Sequence, residues 1–187
     1  MTGRLMIPGP VPLSESVAEA MAAPVQAHYG PAWVSIHNET LQRLRQVFVT
    51  EAELFLLVGS GSAGLDAAIG SLLAPGDAAL VGVNGYFGQR LAAIASAYGA
   101  HVVEVAAEWG EPLSPESFES ALQRHPHAKA IIATHVETST GVINPIRELA
   151  RIAGAHNVPI MADAISSLGG VEFAMDEWGV DLCVTAS

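Results

Sequence analysis

Leu54-Phe55-Leu56-Leu57-Val58-Gly59-Ser60-Gly61-Ser62-Ala63-Gly64 sets a continuous apolar run against a loop of glycines and small hydroxyl residues. The apolar run predicts a strand buried on both faces. Gly59 to Gly64 reads as a loop, and Leu65 to Leu73 as the helix after it. The same alternation continues downstream. Pro75-Gly76-Asp77 is a turn, Ala78 to Val83 a strand, and Gly85 to Tyr98 contains a helix. Strands are then expected at His101 to Val105, Ala130 to Thr134, Pro159 to Ala162 and Asp181 to Ala186. Helices are expected from Ser114 to Gln123 and from Pro145 to His156. Such alternation predicts an α/β fold, a mainly parallel sheet with helices on both faces.

Upstream the pattern differs. Pro8, Pro10 and Pro12 predict an extended arm. Ser14 is placed to cap a short helix ending near Met21, and a longer helix is expected from Trp33 to Val49. Two regions follow from this: an N-terminal arm with helices over 1–50, and an α/β large domain over 51–187. The last residues, Val184-Thr185-Ala186-Ser187, close on an expected strand with no helix after it. The sequence therefore reads as the front part of something longer, an incomplete large domain.

Composition narrows the partners. Half of the 187 residues are apolar, 14% are charged, and mean hydropathy is +0.36, which suits a packed core. Eight basic against nineteen acidic residues give a formal charge of -11. Without a basic stripe, nucleic acid is not an expected partner, and an anionic membrane surface is disfavoured. Cys183 is the only cysteine, so a cysteine zinc site and an intrachain disulfide are excluded. No metal site is expected, and the apolar stretches are too short for a signal peptide or a membrane span. The expectation is a soluble, cytoplasmic chain.

Gly59-Ser60-Gly61-Ser62-Ala63-Gly64 fits G-x-G-x-x-G between a strand and a helix, the dinucleotide fingerprint. That fingerprint requires an acid at the end of the next strand, whereas Asp77 precedes that strand, which ends at Asn84-Gly85. A broader reading is a phosphate site built from helix-start N–H groups and the Ser60 and Ser62 hydroxyls. Three more segments follow strands: Asn84 to Arg90 with Phe87, His135 to Gly141 with Thr138, and Asp163 to Ser167. In an open parallel sheet, ligands bind beyond the carboxyl ends of the strands. A phosphate loop, an aromatic, hydroxyls and a carboxylate thus converge on one rim. Pyridoxal 5'-phosphate (PLP) uses such a set: an anchor for its phosphate, a flat partner for its ring, and a carboxylate that keeps the pyridine nitrogen protonated.

Val58 to Arg90, His135 to Pro145 and Asp163 to Gly170, with Pro8-Gly9-Pro10 at the start, resemble the motifs of class V aminotransferases in order and spacing. The alanine–glyoxylate and serine–pyruvate group is nearest in pattern. The resemblance implies a PLP-dependent transferase-like large domain and a cytoplasmic homodimeric enzyme. Such an enzyme moves an amino group from a small amino acid to a 2-oxo acid such as glyoxylate or pyruvate. It implies that Ser60, Gly61 and Ser62 bind the phosphate and that Phe87 stacks on the ring. It further implies that Thr138 bonds the ring oxygen, Asp163 pairs with the pyridine nitrogen, and Gly9 lines the substrate entrance.

Other readings stand beside these roles. Phe87 can be a plain core aromatic, and Thr138, Ser139 and Thr140 a turn before Gly141. Asp163 follows an apolar strand, so it is expected to be buried and to need a partner. His135 reads as structural, Glu137 as orienting its loop without chemistry, and Cys183 as packing.

The family holds PLP on a Schiff-base lysine, expected just after Ser187, usually past a glutamine. Lys129 is the only lysine here, at the strand end opposite the rim. The 187 residues alone are therefore expected to be inactive. Alternatives are a non-catalytic PLP-binding or dimer-forming fragment, a cysteine desulfurase type of class V enzyme, and a Rossmann-type nicotinamide protein. The desulfurase type usually has histidine at the Phe87 position and asparagine near the Thr138 loop.

Overall fold

The structure is a computed structural model that describes residues 5–7 and 9–186. Pro8 and Ser187 of the motifs quoted above lie outside the described residues. The chain divides into two compact units, Met1–Leu44 and Arg45–Ser187.

The first unit carries the arm and helix α1, Glu15–Ala22, followed by most of α2, Gly30–Phe48. Ser14 caps α1 by accepting the Val17 N–H, and Glu15 lies in the first turn, where a negative charge favours the helix. No residue of α1 is buried.

The second unit contains helix α3, Gly61–Leu72, then strand β1, Ala78–Val83, helix α4, Tyr86–Ala97, and strand β2, His101–Ala106. After these come α5, Pro115–Arg124, β3, Ala130–Thr134, and a small hairpin of β4, Val136–Glu137, with β5, Val142–Ile143. Helix α6, Ile146–Ala155, strand β6, Ile160–Asp163, helix α7, Met175–Trp178, and strand β7, Leu182–Val184, complete it. Five strands form one parallel sheet in the order β2-β1-β3-β6-β7.

Side-chain alternation along these strands separates two cores. Leu80, Ile131 and Ile160 stand in register and join Phe118, Leu122 and Leu149 on the α5/α6 face. Their neighbours Val81, Ile132 and Met161 join Leu65, Ile69 and Leu91 on the α3/α4 face. Period two along each central strand thus supplies both faces, and every residue of β3 is buried.

Two expectations fail. Leu54 to Val58 is not a strand. Phe55 is 82% exposed and Val58 fully so, with Leu56 and Leu57 also outward. An apolar run becomes a strand only when another strand offers it a hydrogen-bonding edge, and this run pairs with no described strand. The glycine loop is also shorter than read: Gly61 to Gly64 already form the first turn of α3, with Ser60 as N-cap. Small residues are needed there because the helix start lies tight on the sheet. A Cβ on Gly61 would come 2.6 Å from Ile165 Cδ1, and one on Gly64 3.0 Å from Val184 Cγ1.

The β4–β5 hairpin and α7 carried no sequence signal, since two-residue strands and a four-residue helix are too short for periodicity. A buried amide pair supports the hairpin from below. Asn144 Nδ2 donates to Thr134 O, its Oδ1 accepts the Leu113 N–H and Asn84 Nδ2, and Asn84 also donates to Glu111 O.

Candidate functional site

All five parallel strands end on the same rim; the segments bearing Phe87, Thr138 and Asp163 leave from there, and the start of α3 lies beside them. Ser60 is the exposed N-cap of α3, its Oγ accepting the Ala63 N–H at 3.4 Å. The N–H groups of Gly61 and Ser62, at the helix start, take no hydrogen-bond partner among the described residues. Free N–H groups at a helix start, with the helix dipole behind them, are the geometry that suits an anion. This turn sits beside Ile165, two residues beyond Asp163, and beside Ala186.

Asp163 ends β6, paired in register with Thr134 of β3 and Val184 of β7. It is 5% exposed. Its Oδ1 accepts the Ile165 N–H at 3.0 Å, and no basic side chain pairs with it among the described residues. Burial raises its pKa from 3.8 to about 6; the Ile165 N–H works against this and the nearby Glu137 charge adds to it. A buried acid in this state is stabilised by a cationic donor.

Phe87 is half-buried in the first turn of α4, edge-on to Tyr86 at 5.3 Å between ring centroids. Thr138 begins the β4–β5 turn, and its hydroxyl bonds to that of Ser166, three residues beyond Asp163. Ser60, Phe87, Thr138 and Asp163 are therefore all carried at one rim. Gly9 belongs to the first unit, with open space where a Cβ would stand.

Three other residues have structural surroundings. His135 is 3% exposed, with Phe173 and Trp178 rings at 5.5 and 5.6 Å, and burial lowers its pKa. Cys183 has its thiol pushed up to about 12 by burial and by Asp163, so it is a packing group rather than a nucleophile. Asp77 accepts the Ala74 N–H at 2.9 Å and closes a turn before β1, away from the glycine turn. Among the described residues, no group of three or more His, Cys, Asp or Glu could hold a metal. No described helix is long and apolar enough to cross a membrane.

Sequence reasoning undervalued Glu137. Its side chain is fully buried and accepts the N–H groups of Phe87, Gly88 and Ser139 and the Ser139 hydroxyl. Only the burial of a glutamate just ahead of Thr138-Ser139-Thr140 could have drawn attention to it, and burial is decided by the α4 segment packed against it.

The class V aminotransferase model matches residues 15–187. An uncharacterized aminotransferase of Methanocaldococcus jannaschii is 38% identical over 183 residues, 98% of this chain and 48% of its own. Alanine–glyoxylate aminotransferase of Drosophila melanogaster is 37% identical, covering 98% of this chain and 47% of its own. The crystal structure of alanine–glyoxylate aminotransferase from Nostoc sp. superposes with a TM-score of 0.93 at 37% identity, over 97% of this chain and 48% of that one. The chain belongs to the class V aminotransferases. It spans about half the length of the curated relatives it matches. The cofactor of this family is PLP, and the rim fits it: among the described residues, helix-start N–H groups with no partner for the phosphate, and a buried acid with no cationic partner for the ring nitrogen.

Proposed function

We propose that this chain is the cofactor-binding part of a PLP-dependent aminotransferase that uses a small amino acid, of alanine or serine type, and a 2-oxo acid such as glyoxylate or pyruvate. The observation that carries the reading is Asp163: buried, raised to about 6, and without a cationic partner among the described residues, at the rim shared with the α3 N-terminus. When bound, PLP supplies an electron sink for the substrate's α-carbon electrons. The chain's own residues hold and orient it. Ser60, Gly61 and Ser62 take the phosphate, Phe87 covers one ring face, Thr138 bonds the ring oxygen, and Asp163 keeps the ring nitrogen protonated. Gly9 lines the substrate entrance. Residues 1–50 act as arm and helices, and 51–187 as the PLP-binding domain.

The lysine that moves the substrate proton is not Lys129. Lys129 precedes β3, while Thr134 at the other end of that strand pairs with Asp163. Five residues of strand separate the two ends by about 16 Å. Titrating the 187-residue chain with PLP is expected to give saturable binding, seen by absorbance, with no borohydride-stable adduct on Lys129 and no turnover. An adduct there accompanied by transamination would overturn the arrangement. In the full-length protein, alanine and glyoxylate are expected to give pyruvate and glycine, detectable by chromatography of the products.

The full-length protein is proposed to be a cytoplasmic homodimer with the arm in its interface. The exposed apolar side chains of the first unit support this: Met6, Val11, Leu13, Met21 and Tyr29 are all outward. Light scattering of the full-length protein should give the dimer mass across the micromolar range, and a clean monomer would sink the proposal.

A further inference from the structure

The Glu137 carboxylate joins two segments that are far apart in the chain. Its Oε1 accepts the Phe87 N–H at 3.3 Å, the Ser139 N–H at 3.0 Å and the Ser139 hydroxyl at 2.6 Å. Its Oε2 accepts the Gly88 N–H at 2.9 Å. Ser139 Oγ in turn accepts the Tyr86 N–H at 2.9 Å. The three N–H groups that open α4 are thus all taken up from the Glu137–Ser139 segment. A negative charge at this helix start also meets the positive end of the helix dipole.

Room for this is made by Gly85. A Cβ there would lie 2.4 Å from Glu137 Cγ and 2.6 Å from Ser139 Oγ. The Gly85 backbone is extended, with φ 176°, so the glycine is required for space rather than for conformation. Phe87 sits between two of the bonded groups, and Thr138 lies between Glu137 and Ser139. Phe87 and Thr138, the two side chains assigned to the cofactor ring, are therefore both carried on segments held by one buried carboxylate.

We propose that Glu137 is a positioning residue that locks the turn bearing Phe87 to the loop bearing Thr138, so that the ring-stacking and ring-oxygen contacts form as a single unit. This rests on the cofactor reading above. The phosphate anchor on α3 is a separate element that donates no hydrogen bond to Glu137 among the described residues.

Glu137→Gln keeps the shape but puts an amide NH2 where one oxygen accepts N–H groups, and removes the charge. The test compares three readouts on the 187-residue chain: amide hydrogen exchange, PLP affinity by absorbance, and inorganic phosphate affinity by phosphorus NMR. Expected in the variant are at least ten-fold faster exchange at Phe87, Gly88 and Ser139 and about ten-fold weaker PLP binding. Phosphate affinity is expected to be unchanged. Equal losses of PLP and phosphate, as general loosening of the fold would give, overturn the proposal; so does unchanged exchange or unchanged PLP affinity. Should the glutamine variant fail to fold, Ser139→Ala decides. Ser139 is exposed, and its loss removes the Oγ bonds to Glu137 and Tyr86. It is expected to weaken PLP two- to five-fold with phosphate unchanged, and wild-type PLP affinity in that variant overturns the proposal. A wild-type chain that binds no PLP would instead overturn the cofactor reading, and the exchange data would still decide whether Glu137 locks the two segments.

Discussion

Asp163→Asn is expected to make the cofactor-free chain more stable while impairing its use of PLP. In the fold the carboxyl holds its proton up to about pH 6, against 3.8 for the ordinary group. The folded state then binds more protons than the unfolded state between these values, so stability falls as pH rises from about 4 through about 6 and is level above. Two pKa units correspond to about 3 kcal/mol. Asparagine keeps an acceptor for the Ile165 N–H and carries no charge to bury, but its amide needs partners of its own. A net gain on the order of 1–3 kcal/mol above pH 6 is expected, with the pH dependence between 4 and 6 much reduced. Denaturant titrations at several pH values check this. Wild-type stability that rises across that window would show that the sign is wrong. The same variant cannot hold a charge opposite the ring nitrogen, so PLP binding should weaken while phosphate binding persists. In the full-length protein, Asp163→Ala should remove most turnover, and Asp163→Glu, which misplaces the charge, should retain some.

Gly88→Ala is expected to damage fold and site together. A Cβ on Gly88 would stand 2.6 Å from Gly82 O and 2.9 Å from Val83 Cα. Both are backbone atoms of β1, so no side chain can swing aside. The start of α4 must move off the sheet, breaking the Gly88 bond to Glu137 and displacing Phe87. Overpacking of this kind costs on the order of 3 kcal/mol, a fall in Tm of roughly 6–12 °C for a domain of this size. PLP affinity should fall with it. A thermal melt that matches the wild type would show that α4 is not seated against β1 at Gly88.

The alternating framework was legible because it depends on neighbours in sequence. Ala78 to Val83 and Ala130 to Thr134 have the limits read from their apolar runs and flanking turns. Ser14 caps its helix as expected, and Ser114 caps α5 by accepting the Ser117 N–H. The rim was legible for a related reason: once strands are parallel, every segment that follows one leaves from the same side. Asp163, at the end of an apolar strand, could be expected to be buried before any coordinates.

Leu54 to Val58 shows the opposite case. Its apolarity is a local property, but a strand needs a partner edge, and none of the described strands provides one. Glu137 is similar: its meaning depends on Phe87 and Gly88, 50 and 49 residues away, and on the missing Cβ of Gly85. By itself the sequence determined the main alternation of helices and strands from Ala78 onward and the parallel sheet they form, since periodicity and turn chemistry act over a few residues. Only the tertiary structure decided which apolar run stays outside the sheet, how far burial raises Asp163, and that Glu137 ties the Phe87 turn to the Thr138 loop. Those outcomes depend on desolvation and on hydrogen-bond geometry between segments far apart along the chain.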